Sequence, residues 1–332
     1  MREPVSSRRG ALLALLLVSC GDGPPVKPFE EPVVLEIAHG LSSQDIAQAL
    51  ADKGVIGSKW SFLWERAWNR DAVLLAGEYM FREPVSASAA FEMLVSGRVR
   101  LYPITFPEGL NRFETARIAG ASGLVSGDEF LALTADPSPV KDLLPQAESL
   151  EGCLFPETYS LARTSDATDL LEAMVARFKE ALAAARSQRT TEYGAWDALV
   201  LASMIEEETG EPAERRLVAS VFHNRIRRGM LMQCDPTIIY GLILQDRYRG
   251  RIYRSDLADP HPYNTYVHGG LPPGPIASPG RESLAAAFAP AESEFLYFVA
   301  KPGFRLGHVF SKSLRAHNRA VSDLRRYERS LR

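Results

Sequence analysis

Three adjacent carboxylates, Glu206, Glu207 and Glu208, close the run Ala202-Ser203-Met204-Ile205-Glu206-Glu207-Glu208-Thr209, whose apolar part begins near Trp196. Ala198 to Ala202 with Met204 and Ile205 predicts a helix that is apolar on nearly every face and therefore buried. Acids in its last turn meet the negative end of the helix dipole, which costs stability. At about 100° per residue Glu208 continues the line of Leu201, Met204 and Ile205, Glu206 lies about 200° away and Glu207 falls between them. The three cannot face one cleft. A carboxyl held against apolar walls keeps its proton to higher pH, the condition for protonating a leaving group near neutrality. That chemistry is general acid catalysis. A solvated acidic helix end, stopped by Gly210 and Pro212, accounts for the same residues without chemistry.

The segments downstream decide between the two. They are Ala219-Ser220-Val221-Phe222-His223-Asn224-Arg225, Gln233-Cys234-Asp235-Pro236-Thr237-Ile238-Ile239-Tyr240-Gly241, Tyr263-Asn264-Thr265-Tyr266 and the Gly-Pro run from Gly270 to Gly280. With them the chain resembles the endolytic murein transglycosylase, or YceG-like, family from about Val33 to about Leu324. The resemblance implies that the second glutamate of a helix-terminal Glu-Lys-Glu-Thr is the catalytic acid, which falls on Glu208, with Glu206 as the first of the pair. Glu207 stands where the family has Lys, so it either raises the Glu208 pKa further or points to solvent. Cys234 stands where the family usually has Ser or Thr. Leu150-Glu151-Gly152-Cys153-Leu154-Phe155-Pro156-Glu157-Thr158-Tyr159 matches a family segment that borders the substrate groove.

The implied reaction is cleavage of the β-1,4 bond between N-acetylmuramic acid and N-acetylglucosamine in a peptidoglycan strand. Glu208 protonates the glycosidic oxygen and, once ionised, takes the proton of the muramyl C6 hydroxyl as it attacks, leaving a 1,6-anhydromuramyl end. The nucleophile belongs to the substrate, so one acid suffices where ordinary glycosidases need two. Gln233, Asp235, Thr237 and Asn264 offer hydrogen bonds to acetamido and hydroxyl groups, and Tyr263 or Tyr266 offers a face for a sugar. Each also has a local reading: Asp235 before Pro236 builds a turn, Asn264 caps a loop, and Gly269 to Gly280 is a rigid connector. Glu206 is a supporting residue or an exposed helix-end charge. A hydrolytic muramidase assisted by Glu206 or Asp235, and a non-catalytic glycan-binding scaffold, are the competing functions.

The elements that must position these residues read as α+β, with short strands among helices and no internal repeat. Residues 1–20 form a signal segment: Arg2, Arg8 and Arg9 precede an apolar run from Ala11 to Val18, far short of the roughly 20 residues that span a bilayer. Leu17-Val18-Ser19-Cys20 has lipobox spacing, so Cys20 is the expected lipidation site and membrane anchor, at the periplasmic face of the inner membrane in preference to the outer. Residues 21–32 are a Gly/Pro-rich tether. Residues 33–100 resemble the family's LysM-like unit, suited to holding N-acetylated glycans, with a purely structural scaffold as the alternative; they read as a strand at Val33 to Ile37, helices from Ser42 and Ser58 and a strand near Gly77 to Phe81. Trp60, Trp64 and Trp68 recur every four residues and read as partly core. Residues 101–330 form the larger catalytic domain, with helices at Ala167 to Ala185, Trp196 to Thr209 and Ala213 to Arg228, strands near Phe295 to Ala300 and His308 to Phe310, and a final helix.

Composition narrows the partners. Loss of three arginines and one glutamate with the signal takes the formal charge from -3 to -5, which argues against nucleic acid. Six histidines form no HExxH or Cys/His zinc pattern, and no P-loop, GxSxG elbow or dinucleotide fingerprint occurs, so neither metal nor cofactor is expected. Cys153 and Cys234 remain after Cys20, and free buried thiols are the expectation. Peptidoglycan strands are the expected partner, and the resemblance implies a place beside the glycan-polymerising synthases.

Overall fold

The computed structural model describes residues 27–303 and 307–331. The signal segment with Cys20, and the first part of the tether, lie outside the described residues. Contacts divide the chain into two compact units, one reaching to Arg100 with Ala162–Thr164 added, the other comprising Leu101–Leu161 and Ser165 onward. Among the described residues helices alternate with three two-stranded sheets, which is an α+β arrangement.

In the first unit β1 (Val33–Ile37) is followed by α1 (Ser43–Asp52), α2 (Lys59–Trp68), β2 (Gly77–Phe81) and α3 (Ala87–Ser96). β1 and β2 pair antiparallel, Leu35 opposite Tyr79 and Ile37 opposite Gly77. Alternation along the strands turns Leu35, Ile37, Tyr79 and Phe81 into a core shared with Ile46, Leu50, Phe62 and Leu94. The buried Tyr79 hydroxyl donates to Leu75 O at 2.8 Å, so its polar end is satisfied. Ser42, Ser58 and Ser86 cap the three helices through their side chains.

One expectation fails in α2. Trp60, Trp64 and Trp68 are not core: they are 70%, 58% and 73% exposed, and Phe62 is the only buried residue of the helix. A four-residue repeat guarantees that side chains share a face, not that the face is the inner one. Phe62 lies about 200° from Trp60 around the axis, and it is the Phe62 side that meets α1 and α3.

The second unit runs β3 (Leu101–Thr105), α4 (Arg112–Ala121), α5 (Gly127–Leu133), β4 (Thr158–Ala162), α6 (Ala167–Ser187), α7 (Ala195–Glu208), α8 (Arg215–Arg227), α9 (Asp235–Leu244), α10 (Arg281–Phe288), β5 (Tyr297–Ala300), β6 (His308–Ser311) and α11 (Leu314–Ser330). β3 pairs with β4, and β5 with β6. α6 begins at a reciprocal cap between Asp166 and Asp169 and buries Leu170, Leu171, Met174, Val175, Phe178 and Leu182, a helical stripe. α7 is buried without a break from Ala198 to Ile205 and packs against α6's neighbour α10, α8 and α9. Cys153 and Cys234 are buried and unpaired.

The segment from Glu151 to Phe155 is interior. Its first residue, only 4% exposed, accepts from Arg112 N–H at 3.1 and 3.2 Å, from the Tyr240 hydroxyl at 2.8 Å and from Gly152 N–H at 3.2 Å. Gly152, at φ 77°, leaves room for Pro275, which a Cβ would meet at 2.7 Å. The segment therefore works by packing and hydrogen bonding from within. Burial pushes the Glu151 carboxyl up to about 7 against the pull of those donors. A carboxyl whose folded pKa is raised gives a folded state that binds more protons, so its contribution is fullest below the unfolded value and is lost as pH rises toward 7. Denaturant unfolding between pH 4.5 and 7.5 is expected to show a decline on the order of 3 kcal/mol that Glu151→Gln abolishes; equal slopes for the two proteins would contradict this.

Candidate active site

The end of α7 sends its three glutamates to three different neighbourhoods. Glu206, 5% exposed at its side chain, accepts from Arg215 Nη2 at 2.9 Å and from Gly280 N–H at 2.8 Å. The same Arg215 nitrogen reaches Glu108 at 3.0 Å, and Gly280 is tight against Glu108, whose Oε1 lies 1.8 Å from where a Cβ would stand. Burial and the Glu206 carboxylate raise the Glu108 pKa, and Arg215 restrains it. Glu207 is exposed and leans toward Gly109. Desolvation, then the carboxylates of Glu114, Glu206 and Glu208, raise its pKa, although its solvent contact limits the effect. Of the two roles open to Glu207, the exposed one is what the structure has.

Glu208 turns the other way, toward the start of α9. Burial raises its pKa, and the nearby Asp235 carboxylate adds to that; the Cys234 thiol, hydrogen-bonded to it, and the charges of His308 and Arg225 pull it down. The net direction is upward, so Glu208 holds its proton to higher pH than a free glutamate. This is the state a general acid needs.

Four further elements fix that environment. Cys234 caps α9, its N–H donating to Thr265 Oγ1 at 3.0 Å and its carbonyl accepting from Thr237 Oγ1 at 2.7 Å. Gln233, exposed, takes φ 50°, a left-handed conformation rare for a residue with a side chain, and its N–H donates to Thr265 O at 3.1 Å. Arg225 of α8 is buried, donating to Leu296 O at 2.7 Å and Met232 O at 2.5 Å. His308 of β6 meets Glu214 through its N–H at 3.0 Å and its Nδ1 at 2.8 Å.

Asp235 stands at the first turn of α9, exposed, and accepts from the Tyr266 hydroxyl at 2.6 Å. Asp235, Tyr266 and Gln233 thus border Glu208 or the turn beside it. Asn264 and Thr237 are committed elsewhere. Asn264, 1% exposed, donates to the carbonyls of Asp256, Leu257 and Asp259 and accepts from Tyr266 N–H. Thr237, fully buried, bonds Cys234 O and Thr265 Oγ1. Neither has a group left for a sugar. Their work is to hold the turn and the tyrosine loop, which for Asn264 is the loop-capping alternative. Tyr263 is partly buried, its ring 5.0 Å from that of Tyr240 and 5.8 Å from that of His261.

Sequence reasoning passed over Arg225 and His308 as site residues. Arg225 ends the His223-Asn224-Arg225 segment, and a cation one turn after the apolar run Leu217 to Phe222 was the available signal. Nothing local marked His308, 100 residues downstream of the acid. Among the described residues no group of three or more His, Cys, Asp or Glu is placed to hold a metal.

Comparison with known proteins gives a consistent result. The YceG-like family matches residues 35–323. An endolytic murein transglycosylase of Bacillus subtilis (strain 168) is 30% identical over 314 residues, covering 90% of this chain and 86% of the relative. One from Streptococcus pneumoniae serotype 2 is 28% identical over 300 residues, or 81% of this chain, which spans 54% of that relative's length. A crystal structure of a yceG-like protein from Listeria monocytogenes is similar with a TM-score of 0.58 and 31% identity, over 87% of this chain and 99% of that one.

Two outcomes are expected from this geometry. Asp235→Asn removes a charge that raises the Glu208 pKa while keeping an acceptor for Tyr266, so the basic limb of the kcat/KM profile should move to lower pH; an unmoved limb would mean that Asp235 does not tune the acid. Arg215→Met strips Glu206 of its counter-charge and should cost about 3–5 kcal/mol in denaturant unfolding, with Glu206→Gln added to it restoring part of the loss.

Proposed function

Because the chain belongs to the YceG-like family, we propose that Glu208 is the one acid/base of a peptidoglycan lytic transglycosylase. The protein is an endolytic glycan-cleaving enzyme of the lyase type acting on the cell wall. The observation that carries the assignment is the separation of the two glutamates. Glu206 has both oxygens occupied by Arg215 and Gly280, whereas Glu208 is desolvated beside the open turn at Gln233 to Asp235.

In this reading Glu208, protonated, donates to the oxygen between N-acetylmuramic acid and N-acetylglucosamine as the bond to the muramyl anomeric carbon breaks. Positive charge then develops on the sugar ring, and the Glu208 carboxylate removes the proton of the C6 hydroxyl that closes on that carbon. The enzyme ends as it began, with Glu208 protonated, and the strand ends in 1,6-anhydromuramic acid. Asp235 and Tyr266 border the acid and supply polar contacts to sugar hydroxyls, and the exposed Gln233 adds an amide. A hydrolytic route would need a second carboxylate to activate water. Glu206 is too firmly bonded for that task, which leaves Asp235, already an acceptor for Tyr266, as its sole candidate of the two weighed.

The remaining assignments rest on the sequence. Residues 33–100 are read as a LysM-like unit that holds glycan, supported by a separate core beneath β1 and β2. Residues 101–330 carry the chemistry. Cys20 is read as a lipid anchor holding the enzyme at the periplasmic face of a membrane, with the inner one favoured, beside the synthases whose nascent strands it ends or trims.

Mass spectrometry of peptidoglycan digested by the chain lacking residues 1–20 tests the chemistry. Wild type should release fragments ending in 1,6-anhydromuramic acid, and Glu208→Gln should lose activity by about 10²–10⁴-fold while unfolding normally. Reducing ends would assign a muramidase, and absence of cleavage by wild type would assign a scaffold.

A further inference from the structure

The aromatic face of α2 has no role in the chemistry and no partner in the core. Trp60, Trp64 and Trp68 stand at i, i+4 and i+8 and span about 80° of the helix surface, and the only other exposed residue within their arc or at its border is Ala67. Trp64 and Trp68 meet edge to face with ring centroids 5.9 Å apart, and Trp60 stands one turn before them on the same face. Phe62, on the opposite side, fixes the helix to its own core and thereby holds that face outward. Cations flank it at both ends. The Lys59 ammonium lies 5.4 Å over the Trp60 ring, and the exposed Arg70 follows Trp68.

We propose that this face is a membrane-docking surface, seating its three indoles at the headgroup level of an anionic lipid bilayer. Three observations favour lipid over a glycan. Indoles are amphipathic and settle where apolar chains meet wet headgroups, which is why they girdle membrane proteins. Ligand sites are concave and set a few polar groups in their apolar lining to fix orientation, whereas the exposed face of α2 is convex and offers nothing polar between its indoles. Position agrees as well. Twelve residues separate Cys20 from Val33, so a chain anchored at Cys20 keeps β1 within about 45 Å of the bilayer even when fully extended. No helix among the described residues is long and apolar enough to cross a membrane, so the contact is peripheral. The proposal uses the lipid-anchor reading for proximity, and it is independent of Glu208.

Docking would make α2 a second attachment beside the acyl anchor. One attachment leaves the enzyme swinging on its tether; two fix the height and tilt of the first unit.

The test uses the chain lacking residues 1–20, so that no acyl group contributes, with vesicles of phosphatidylcholine and phosphatidylglycerol carrying brominated acyl chains. Quenching of wild-type tryptophan fluorescence on binding is expected, with apparent affinity, read by vesicle co-sedimentation, lowered at least about tenfold in a Trp60→Ser, Trp64→Ser, Trp68→Ser variant and weakened by salt. Trp196, partly buried against the core of the second unit, serves as the unquenched internal reference. The substituted positions are exposed, and unchanged circular dichroism verifies the fold without reference to cleavage. No quenching of the wild type, or co-sedimentation with vesicles that the triple variant retains, overturns the proposal. Retention of the wild type on insoluble peptidoglycan, lost in the variant while vesicles are ignored, overturns it in favour of a glycan platform. Protection of the indoles by a concentration-dependent dimer overturns it in favour of a second copy of the chain.

Discussion

A buried ion pair governs the second unit. Glu206 and Arg215 are both nearly removed from water, which costs several kcal/mol per charge unless each is fully matched. The match here draws in Gly280 N–H and Glu108, so one carboxylate ties the end of α7 to the start of α8, to the loop entering α10 and to the turn before α4. With Glu206 fixed, helical geometry leaves Glu208 no choice of direction: two residues further on, it must emerge on the far side, against the turn that opens α9. The stability lost by ending an apolar helix in acids is thus offset at one of them and converted into chemistry at another.

Around Glu208 opposed influences meet, and burial prevails. Burial and Asp235 favour the protonated acid, while Arg225, His308 and the Cys234 thiol favour the carboxylate. An acid/base that must give a proton and recover one within a single turnover needs both forms within reach, and such opposed neighbours supply that better than burial alone. Arg225 is a fixed contributor because three backbone carbonyls hold its guanidinium in place.

How much of this was legible in the sequence depended on the range of the signal. α6, α7 and the first unit's elements announce themselves by caps and periodicity, and Glu208 by its place in a motif. The turn alternative at Asp235-Pro236 gives way to α9, because proline belongs in the first turn of a helix, where its missing N–H is no loss. α10 was hidden behind the Gly-Pro run that precedes it, and β4 behind the motif in which it lies. Asn264 and Thr237 carried the right residue types for binding sugar, but their partners are groups within the protein, mostly backbone carbonyls, that only folding brings near. The tryptophans of α2 failed for a different reason. Spacing defines a stripe, and the choice between inside and outside belongs to the opposite face, where the smaller Phe62 won the core.

Gln233 shows what such a site demands of its backbone. A residue with a side chain held at φ 50° gives up about 1 kcal/mol that glycine would keep, and the backbone hydrogen bond to Thr265 O helps hold it there. Glycine would make the turn more comfortable and also more wayward, since it accepts many conformations equally. The less comfortable residue narrows the choices of the peptide that leads into Cys234 and Asp235. Local discomfort at this one position is therefore a form of directional memory: it records, in the backbone, where the thiol and the carboxylate beside the acid have to point.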